Sequence, residues 1–84
     1  MKIQIQENDI LIVDLGNVTH DDRNVTREVT FEINGTQFTR KIILGPNGTG
    51  EDYSDPEKFY MMNKEQVDTN LIEYLSENHL YYNK

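Results

Sequence analysis

The sequence of 84 residues contains no cysteine, no tryptophan and only two prolines. The lack of cysteine excludes disulfide scaffolds, thiolate zinc sites and cysteine nucleophiles. Hydrophobic residues, at 36%, are also fewer than in typical globular domains. No apolar stretch approaches the roughly 20 residues that a membrane-spanning helix needs. Five tyrosines and three phenylalanines supply part of the remaining apolar mass, which is enough for one small domain.

Basic residues are scarce as well: eight lysines and arginines stand against fifteen acidic residues, for a net charge of −7. Direct nucleic-acid binding needs Lys and Arg to displace counterions from phosphate, so this balance argues against it. It argues equally against binding to an anionic membrane surface. The acidity fits either plain solubility or a basic protein partner. Met1 to Gln4 already alternate and show no signal-peptide pattern, so we expect a cytoplasmic chain.

The first part of the chain, residues 1–44, alternates between polar and apolar residues with the period of a β-strand. Ile3 and Ile5 predict a short first strand, and residues 7–9 predict a turn. The apolar run of residues 10–15 predicts a central strand with both faces partly covered. The alternation assigns its side chains to two faces, with Leu11, Val13 and Leu15 on one and Ile10 and Ile12 on the other.

The segment after this strand is polar. Gly16 and Asn17 predict either the end of the strand or a bulge in it. Residues 19–24 contain mainly polar and charged side chains, and we therefore expect a loop there.

Asn34-Gly35 lies between two alternating segments and predicts a hairpin with a type I′ turn. A two-residue turn fixes the register of the two strands. That register pairs aromatic residues on one face and opposite charges on the other, and both combinations suit cross-strand neighbours. The predicted pairs are Ile33 with Thr36, Phe31 with Phe38, Val29 with Arg40, Thr30 with Thr39, and Glu28 with Lys41. Ile42 to Leu44 extend the last strand.

Helical spacing begins after residue 55. Ser54-Asp55-Pro56 predicts a helix start, because a capping residue precedes a proline at the first helical position. Asn63 predicts the cap of a second, longer helix, with Gln66 completing a capping box. An apolar stripe on that helix predicts packing against the sheet; it consists of Val67, Leu71, Tyr74 and Leu75. Residues 79–84 predict either a frayed end or a short extra strand.

These patterns predict an α+β fold, in which an antiparallel β-meander of about four strands carries one or two C-terminal helices on one face. We expect one domain over residues 1–84, with a strand-rich part at 1–44, a Gly- and Asp-containing loop at 45–55 and a helical part at 56–78. A domain of this size buries only about 60–65% of the surface of its unfolded chain, so its core is thin.

The stretch KIILGPNGTG, from Lys41 to Gly50, places a glycine-rich loop after a strand. It resembles the Walker A loop of P-loop nucleotide hydrolases, especially that of the ABC-type ATPases. The chain departs from that pattern where the chemistry lies, since Glu51 replaces the phosphate-binding lysine and Asp52 replaces the magnesium-binding Ser or Thr. Two carboxylates there would repel a triphosphate. We therefore expect no nucleotide site and no cofactor, and a flexible Gly/Asn connection between sheet and helix.

A second cluster, His20-Asp21-Asp22, has the side-chain types of a metal site. Adjacent loop residues rarely converge on one ion, His79 is remote in sequence, and residues 19–24 and 50–57 lack the spacing of a calcium loop. Acid–base catalysis needs carboxylates held in a dry pocket, whereas these acids fall in predicted loops or on a solvated helix face. We expect no metal site and no catalytic residues, and hence a protein that is not an enzyme.

The acidic excess is concentrated in the second part of the chain. Residues 51–84 carry eight acids and three bases, whereas residues 1–50 carry seven and five. Aromatic and methionine residues, which are enriched in interface cores, lie among these acids; they are Tyr53, Phe59, Tyr60, Met61 and Met62, of which Phe59 and Met62 have an alternative interpretation as core. We predict a partner-binding surface formed by Glu51, Asp52, Tyr53, Asp55, Glu57, Tyr60, Glu65 and Asp68. The plainer interpretation of the acids is a solvated face.

Small size, acidity and the lack of catalytic residues favour a non-catalytic protein-binding module whose partner has a basic surface, such as a nucleic-acid-binding protein. In these general properties, and without a shared motif, the chain is similar to the small inhibitors that phages and mobile elements use against host defence, including anti-CRISPR proteins. That similarity implies an inhibitor that acts in the host cytoplasm and blocks a nucleic-acid-binding surface. The alternative is a small structural or accessory subunit that self-associates through strand edges or its tyrosine-rich end.

Overall fold

A computed structural model describes residues 2–20, 24–44 and 54–78 of the chain. These residues form a four-stranded antiparallel sheet followed by two helices, which confirms the predicted α+β meander. The elements are β1 (Lys2–Ile5), β2 (Asn8–His20), β3 (Val25–Ile33), β4 (Thr36–Ile43), α1 (Pro56–Met62) and α2 (Lys64–Glu77). The strands lie side by side in the order β1-β2-β3-β4. Most of the predicted 45–55 loop and all of residues 79–84 lie outside the described residues.

The β3–β4 hairpin has the predicted turn and register. Asn34 and Gly35 have φ angles of 52° and 83°, as a type I′ turn requires. All five predicted cross-strand pairs form. The rings of Phe31 and Phe38 stack with centroids 5.5 Å apart, and the hydroxyl groups of Thr30 and Thr39 hydrogen-bond at 3.0 Å on the opposite face.

The β1–β2 hairpin turns one residue earlier than predicted. Its two-residue turn is Gln6-Glu7, and Asn8 already pairs with Ile5 at the start of β2. Both turn residues have positive φ angles, 51° and 67°, which Asn-Gly adopts far more readily than Gln-Glu. The prediction of a turn at residues 7–9 was wrong because the pairing of the flanking strands, rather than the residues of the turn, decides its position.

Two bulges shape β2. Val13 is an extra residue between the pairs Ile12–Phe31 and Asp14–Thr30, and a second shift at Gly16-Asn17 confirms the bulge that the sequence predicted there. The first bulge changes the side-chain alternation, so that Leu15 packs against the core instead of sharing a face with Leu11 and Val13 as predicted.

β2 also continues further than the sequence indicated. Thr19 and His20 pair with β3 rather than belonging to the predicted 19–24 loop. Their pairing partners, Thr26 and Val25, begin β3, and the ladder between β3 and β4 extends to Thr26. The length of β2 therefore follows from its partner strand and not from its own polar composition.

The helices cover one face of the sheet, which is called the inner face here; the opposite face is the outer face. The core between the inner face and the helices contains Ile3, Ile10, Ile12, Val29, Phe31, Ile33, Ile42, Leu44, Phe59, Val67, Leu71 and Leu75. The predicted stripe of α2 supplies the last three of these, and its fourth member, Tyr74, stacks on Phe38 with a centroid distance of 3.6 Å. Ile72 is exposed beside the stripe.

The buried side chain of Arg27 contacts both α1 and the second bulge of β2. Arg27 is almost fully buried, and its Nε donates a hydrogen bond to the carbonyl oxygen of Gly16 at 3.2 Å. Its guanidinium carbon lies 5.6 Å from the ring centroid of Phe59, a distance that suits a cation–π contact. The bulge, the guanidinium and the helix are therefore coupled through one side chain.

The helix boundaries follow the predicted signals in one case and depart from them in the other. Asp55 caps α1 by accepting a hydrogen bond from the Glu57 backbone N–H at 3.1 Å, and Pro56 opens the helix as predicted. Asn63 does stand between the helices, but its side chain makes no cap bond to α2. Instead its Nδ2 donates to the Phe59 carbonyl oxygen at 3.2 Å. The predicted capping box with Gln66 is therefore wrong, because Asn63 is fully buried and its side chain ends α1.

Candidate partner-binding surface

The predicted partner-binding residues fall into three groups. Glu51, Asp52 and Tyr53 lie outside the described residues, as does the glycine-rich part of the Walker A-like segment. Asp55 and Glu57 are exposed at the start of α1, and Glu65 is exposed in the first turn of α2. Tyr60 and Asp68 are half-buried between the two helices. The structure thus places acidic residues at the starts of both helices.

Capping and the helix dipole both favour acidic residues at these positions. A carboxylate at a helix start is favourable because it accepts an unsatisfied backbone N–H and lies at the positive end of the helix dipole. Asp55 does this directly, and Glu57 and Glu65 are the acidic residues in the first turns of α1 and α2. Helix stability alone explains part of the acidic excess that the sequence shows in this region.

Tyr60 and Asp68 are bonded to each other inside the chain. The Tyr60 hydroxyl donates to Asp68 Oδ1 at 2.7 Å, and Lys64 Nζ contacts Asp68 Oδ2, also at 2.7 Å. Burial raises the pKa of Tyr60, and the hydrogen bond to Asp68 raises that pKa further. The hydrogen bond to Asp68 likewise raises the pKa of the exposed Lys64. This cluster joins α1 to α2, and its contribution to partner binding stays a prediction.

Two methionines stand out on α1. Met61 and Met62 are 71% and 51% exposed, whereas Phe59 on the same helix is fully buried. The alternative interpretation of Phe59 as core is therefore confirmed, and that of Met62 is wrong. Glu57 and Met61 are four residues apart, so they share one face of the helix. The exposed side chains Asp55, Glu57, Met61, Met62 and Glu65 are called the helical surface below.

The other acidic residues of α2 form ion pairs within the chain, so their charge is less available to a partner. Arg40 reaches across from β4 to Glu73 and Glu77 of α2, with N–O distances of 3.5 and 3.3 Å. Lys64 neutralises Asp68. Among the described residues, no ion pair within 4 Å involves Glu57 or Glu65. Unpaired negative charge on the helical layer is therefore concentrated on the helical surface.

An open groove lies between α2 and the end of β4. It has a volume of about 220 Å³ and is lined by Ile43, Glu65, Gln66, Thr69 and Asn70. Sequence reasoning included Glu65 but missed the other four. The predicted topology could have indicated this position, because the last strand of a meander has one edge that no following strand covers.

Metal-binding clusters and membrane-spanning helices are both absent from the described residues. Within residues 2–20, 24–44 and 54–78, no three His, Asp or Glu side chains gather closely enough to hold a metal ion. His20 belongs to β2, whereas its predicted companions Asp21 and Asp22 lie outside the described ranges. Neither described helix has the length and apolar character needed to cross a membrane. The chain matches no known family model, no curated protein and no solved structure.

Proposed function

We propose that this chain is a non-catalytic protein-binding module whose helical surface docks on a basic surface of another protein. The observation that supports it best is the exposure of Met61 and Met62 on the same two helices as Glu57 and Glu65, which form no ion pair within 4 Å among the described residues. Exposed methionines adapt to irregular partner surfaces and contribute apolar burial, whereas surrounding acids speed the encounter with a cation-rich partner.

The narrower form of this proposal is an inhibitor that covers the nucleic-acid-binding surface of a host defence protein, as small phage and mobile-element proteins do. A net charge of −7 on 84 residues supports it, because such a chain competes with phosphate for the same lysines and arginines. Glu51 and Asp52 add two further negative charges to the same part of the sequence.

The test compares two charge reversals of equal size. The first variant carries Asp55→Lys, Glu57→Lys and Glu65→Lys on the helical surface. The control carries Glu7→Lys, Asp14→Lys and Glu32→Lys on the sheet, so its net charge is the same. Proteins from a host lysate that bind the native chain and the control, but not the first variant, support the proposal.

Kinetics with a captured partner sharpen the test. The helical reversal should slow association by about tenfold or more at low salt and abolish the salt dependence of the association rate. Met61→Ala should mainly speed dissociation, because apolar anchors act after encounter. Equal losses in the two reversed variants would contradict a defined acidic docking surface.

A second candidate function is self-association as a structural or accessory subunit. The observation in its favour is the outer edge of β4, which no described residue pairs. Light scattering during gel filtration separates the two functions, since a stable oligomer at micromolar concentration favours the assembly subunit and a monomer favours the binding module. Calorimetry with ATP and magnesium tests the expected absence of a nucleotide site, for which we expect no heat of binding.

A further inference from the structure

We infer that the outer edge of β4 accepts an extended segment of a partner protein as a fifth strand, and that this segment carries a lysine or arginine facing Glu65. This site uses backbone groups of the sheet edge instead of the helical surface, so it does not depend on the proposed function. The two surfaces share only Glu65.

The register of the sheet determines which backbone groups of β4 are available. The Leu44 N–H donates to the Val25 carbonyl oxygen at 2.8 Å, so Leu44 faces β3. In an antiparallel ladder, successive residues point their backbone groups alternately toward and away from the neighbouring strand. The residues of β4 that point away from β3 are therefore Gln37, Thr39, Lys41 and Ile43. Each has an exposed side chain.

β4 is the longest regular unpaired edge among the described residues, since β1, the other edge strand, has only four residues. It runs beside β3 through eight pairs with no shift in register. β2 also has a stretch that β1 does not cover, because β1 pairs only with Asn8–Leu11. That stretch contains both bulges, which bend and twist a strand and so prevent continuous pairing. Among the described strands, an incoming segment therefore finds a continuous ladder of eight residues on β4 alone.

The groove beside β4 gives this edge a side-chain preference. Alternate side chains of an added strand point to the inner side of the sheet, where the groove is lined by Glu65, Gln66, Thr69 and Asn70 together with Ile43. Most of the exposed surface of the groove is apolar, which suits the aliphatic stem of a long basic side chain, and Glu65 has no ion pair within 4 Å among the described residues. A lysine or arginine entering here gains a charge-assisted contact, whereas a purely apolar segment does not.

Charge also argues against a second copy of this chain as the occupant. Antiparallel pairing of two β4 strands brings Arg40 and Lys41 of one copy close to the same residues of the other, and like charges on adjacent strands are unfavourable. Each copy further carries a net charge of −7. A peptide with one lysine or arginine near Glu65 and uncharged residues beside Arg40 and Lys41 avoids both conflicts. Strand addition supplies affinity through backbone hydrogen bonds, with specificity from alternate side chains.

The experiment begins with selection of random nine-residue peptides displayed against the full chain. The strongest binder is synthesised and labelled, together with a copy N-methylated at alternate residues. We expect enrichment of peptides with a central Lys or Arg. We also expect N-methylation to weaken binding by about tenfold or more, because it removes hydrogen bonds without changing charge.

Protein variants locate the site independently. Lys41→Pro removes a backbone N–H that points away from β3 and should weaken binding about tenfold, whereas Lys41→Thr keeps the N–H and should bind normally. Glu65→Gln should weaken binding by roughly threefold to tenfold. Asp55→Lys with Glu57→Lys should leave peptide binding within about twofold, which separates this site from the helical surface.

Amide hydrogen exchange gives a signature that no side-chain contact would produce. In the free chain, we expect pairing with β3 to protect the amides of Phe38, Arg40 and Ile42. The bound peptide should add protection at Thr39, Lys41 and Ile43, so that the alternation disappears. The inference is overturned if no peptide is enriched, if Lys41→Pro folds and binds the peptide normally, or if N-methylation has no effect. It is also overturned if light scattering shows a stable dimer that Lys41→Pro converts to a monomer, because a second copy would then occupy the edge.

Discussion

The two hairpins of the sheet have the same kind of turn made from very different residues. Gln6-Glu7 and Asn34-Gly35 each form a two-residue turn with positive φ at both positions. A left-handed conformation costs most L-residues roughly 1–2 kcal/mol, costs asparagine less, and costs glycine nothing. The β1–β2 turn is therefore strained, whereas the β3–β4 turn suits its residues.

The strands on either side account for this difference. β3 and β4 pair over eight residues, while β1 contributes only four residues and is closed by the strained turn. Ile3 is the one buried side chain that the described part of β1 adds to the core, and Ile5 is partly buried. The β3–β4 hairpin thus holds its own turn in place, whereas the β1–β2 turn depends on packing elsewhere in the sheet.

Phe31→Ala should cause the largest loss of stability. It would show that the β3–β4 hairpin contributes more to the core than the β1–β2 hairpin. Phe31 is fully buried, stacks on Phe38 and has no other ring of its size to replace it in β3. We expect a loss of about 3–5 kcal/mol in the free energy of unfolding, a large part of the total for 84 residues. The matched change in the first hairpin, Ile3→Ala, should cost only about 2 kcal/mol in chemical denaturation. Equal losses would remove the distinction between the hairpins.

Gly35→Val tests the relaxed turn directly. Gly35 has φ of 83°, and no atom lies within 4 Å of the position that a Cβ atom would occupy, so the cost would be conformational rather than steric crowding. Valine is β-branched and tolerates this region poorly, and we expect a loss of about 2 kcal/mol. Gly35→Asn should cost much less. A melting temperature unchanged by Gly35→Val would contradict the type I′ assignment.

The strained turn should respond in the opposite direction. Gln6→Asn combined with Glu7→Gly places the preferred dipeptide at φ angles of 51° and 67°. We expect an increase of about 1 kcal/mol in the free energy of unfolding, together with slower hydrogen exchange in β1. As a control, the double change should not alter the difference between the free energy of opening at the β4 amides and the free energy of global unfolding. A destabilised double variant would show that the Gln6 and Glu7 side chains make contributions larger than their backbone strain.

The smallest expected difference in stability is between two ion-pairing residues, Arg40 and Lys2. Arg40, whose side chain is largely buried, pairs with both Glu73 and Glu77, whereas Lys2 approaches Asp9 only at 3.9 Å between exposed groups. Arg40→Met keeps much of the apolar stem and should cost about 0.5–1 kcal/mol at low salt, with the loss shrinking as salt is added. Lys2→Met should change stability by less than about 0.3 kcal/mol. A salt-independent loss at Arg40 would point to packing instead of charge.

Sequence reasoning succeeded where one short-range signal was decisive. Asn34-Gly35 determined a turn and, through it, five cross-strand pairs. Asp55-Pro56 determined the start of α1 in the same way. The Gln6-Glu7 turn and the Val13 bulge carry no such signal, since each is imposed by pairing with residues elsewhere in the sheet. Leu15 was consequently assigned to the wrong face.

The candidate surface was predictable in composition but not in detail. The acids at helix starts follow from the sequence, and their exposure at Asp55, Glu57 and Glu65 agrees with that expectation. The bond between Tyr60 and Asp68 joins residues eight positions apart across a helix boundary, so no periodicity reveals it. Met62 was ambiguous because its exposure depends on the angle between α1 and α2.

The placement of both helices after the whole sheet has a consequence for synthesis on the ribosome. Leu75, the last buried residue of α2, follows Ile43 at the end of β4 by 32 residues. At roughly 5–20 residues per second, the chain spends on the order of 2–6 s with the inner face of its sheet complete in sequence but uncovered. The residues made first in that interval include Glu51, Asp52, Asp55 and Glu57. We expect the repulsion between these carboxylates to oppose association of neighbouring chains until the helices cover the sheet.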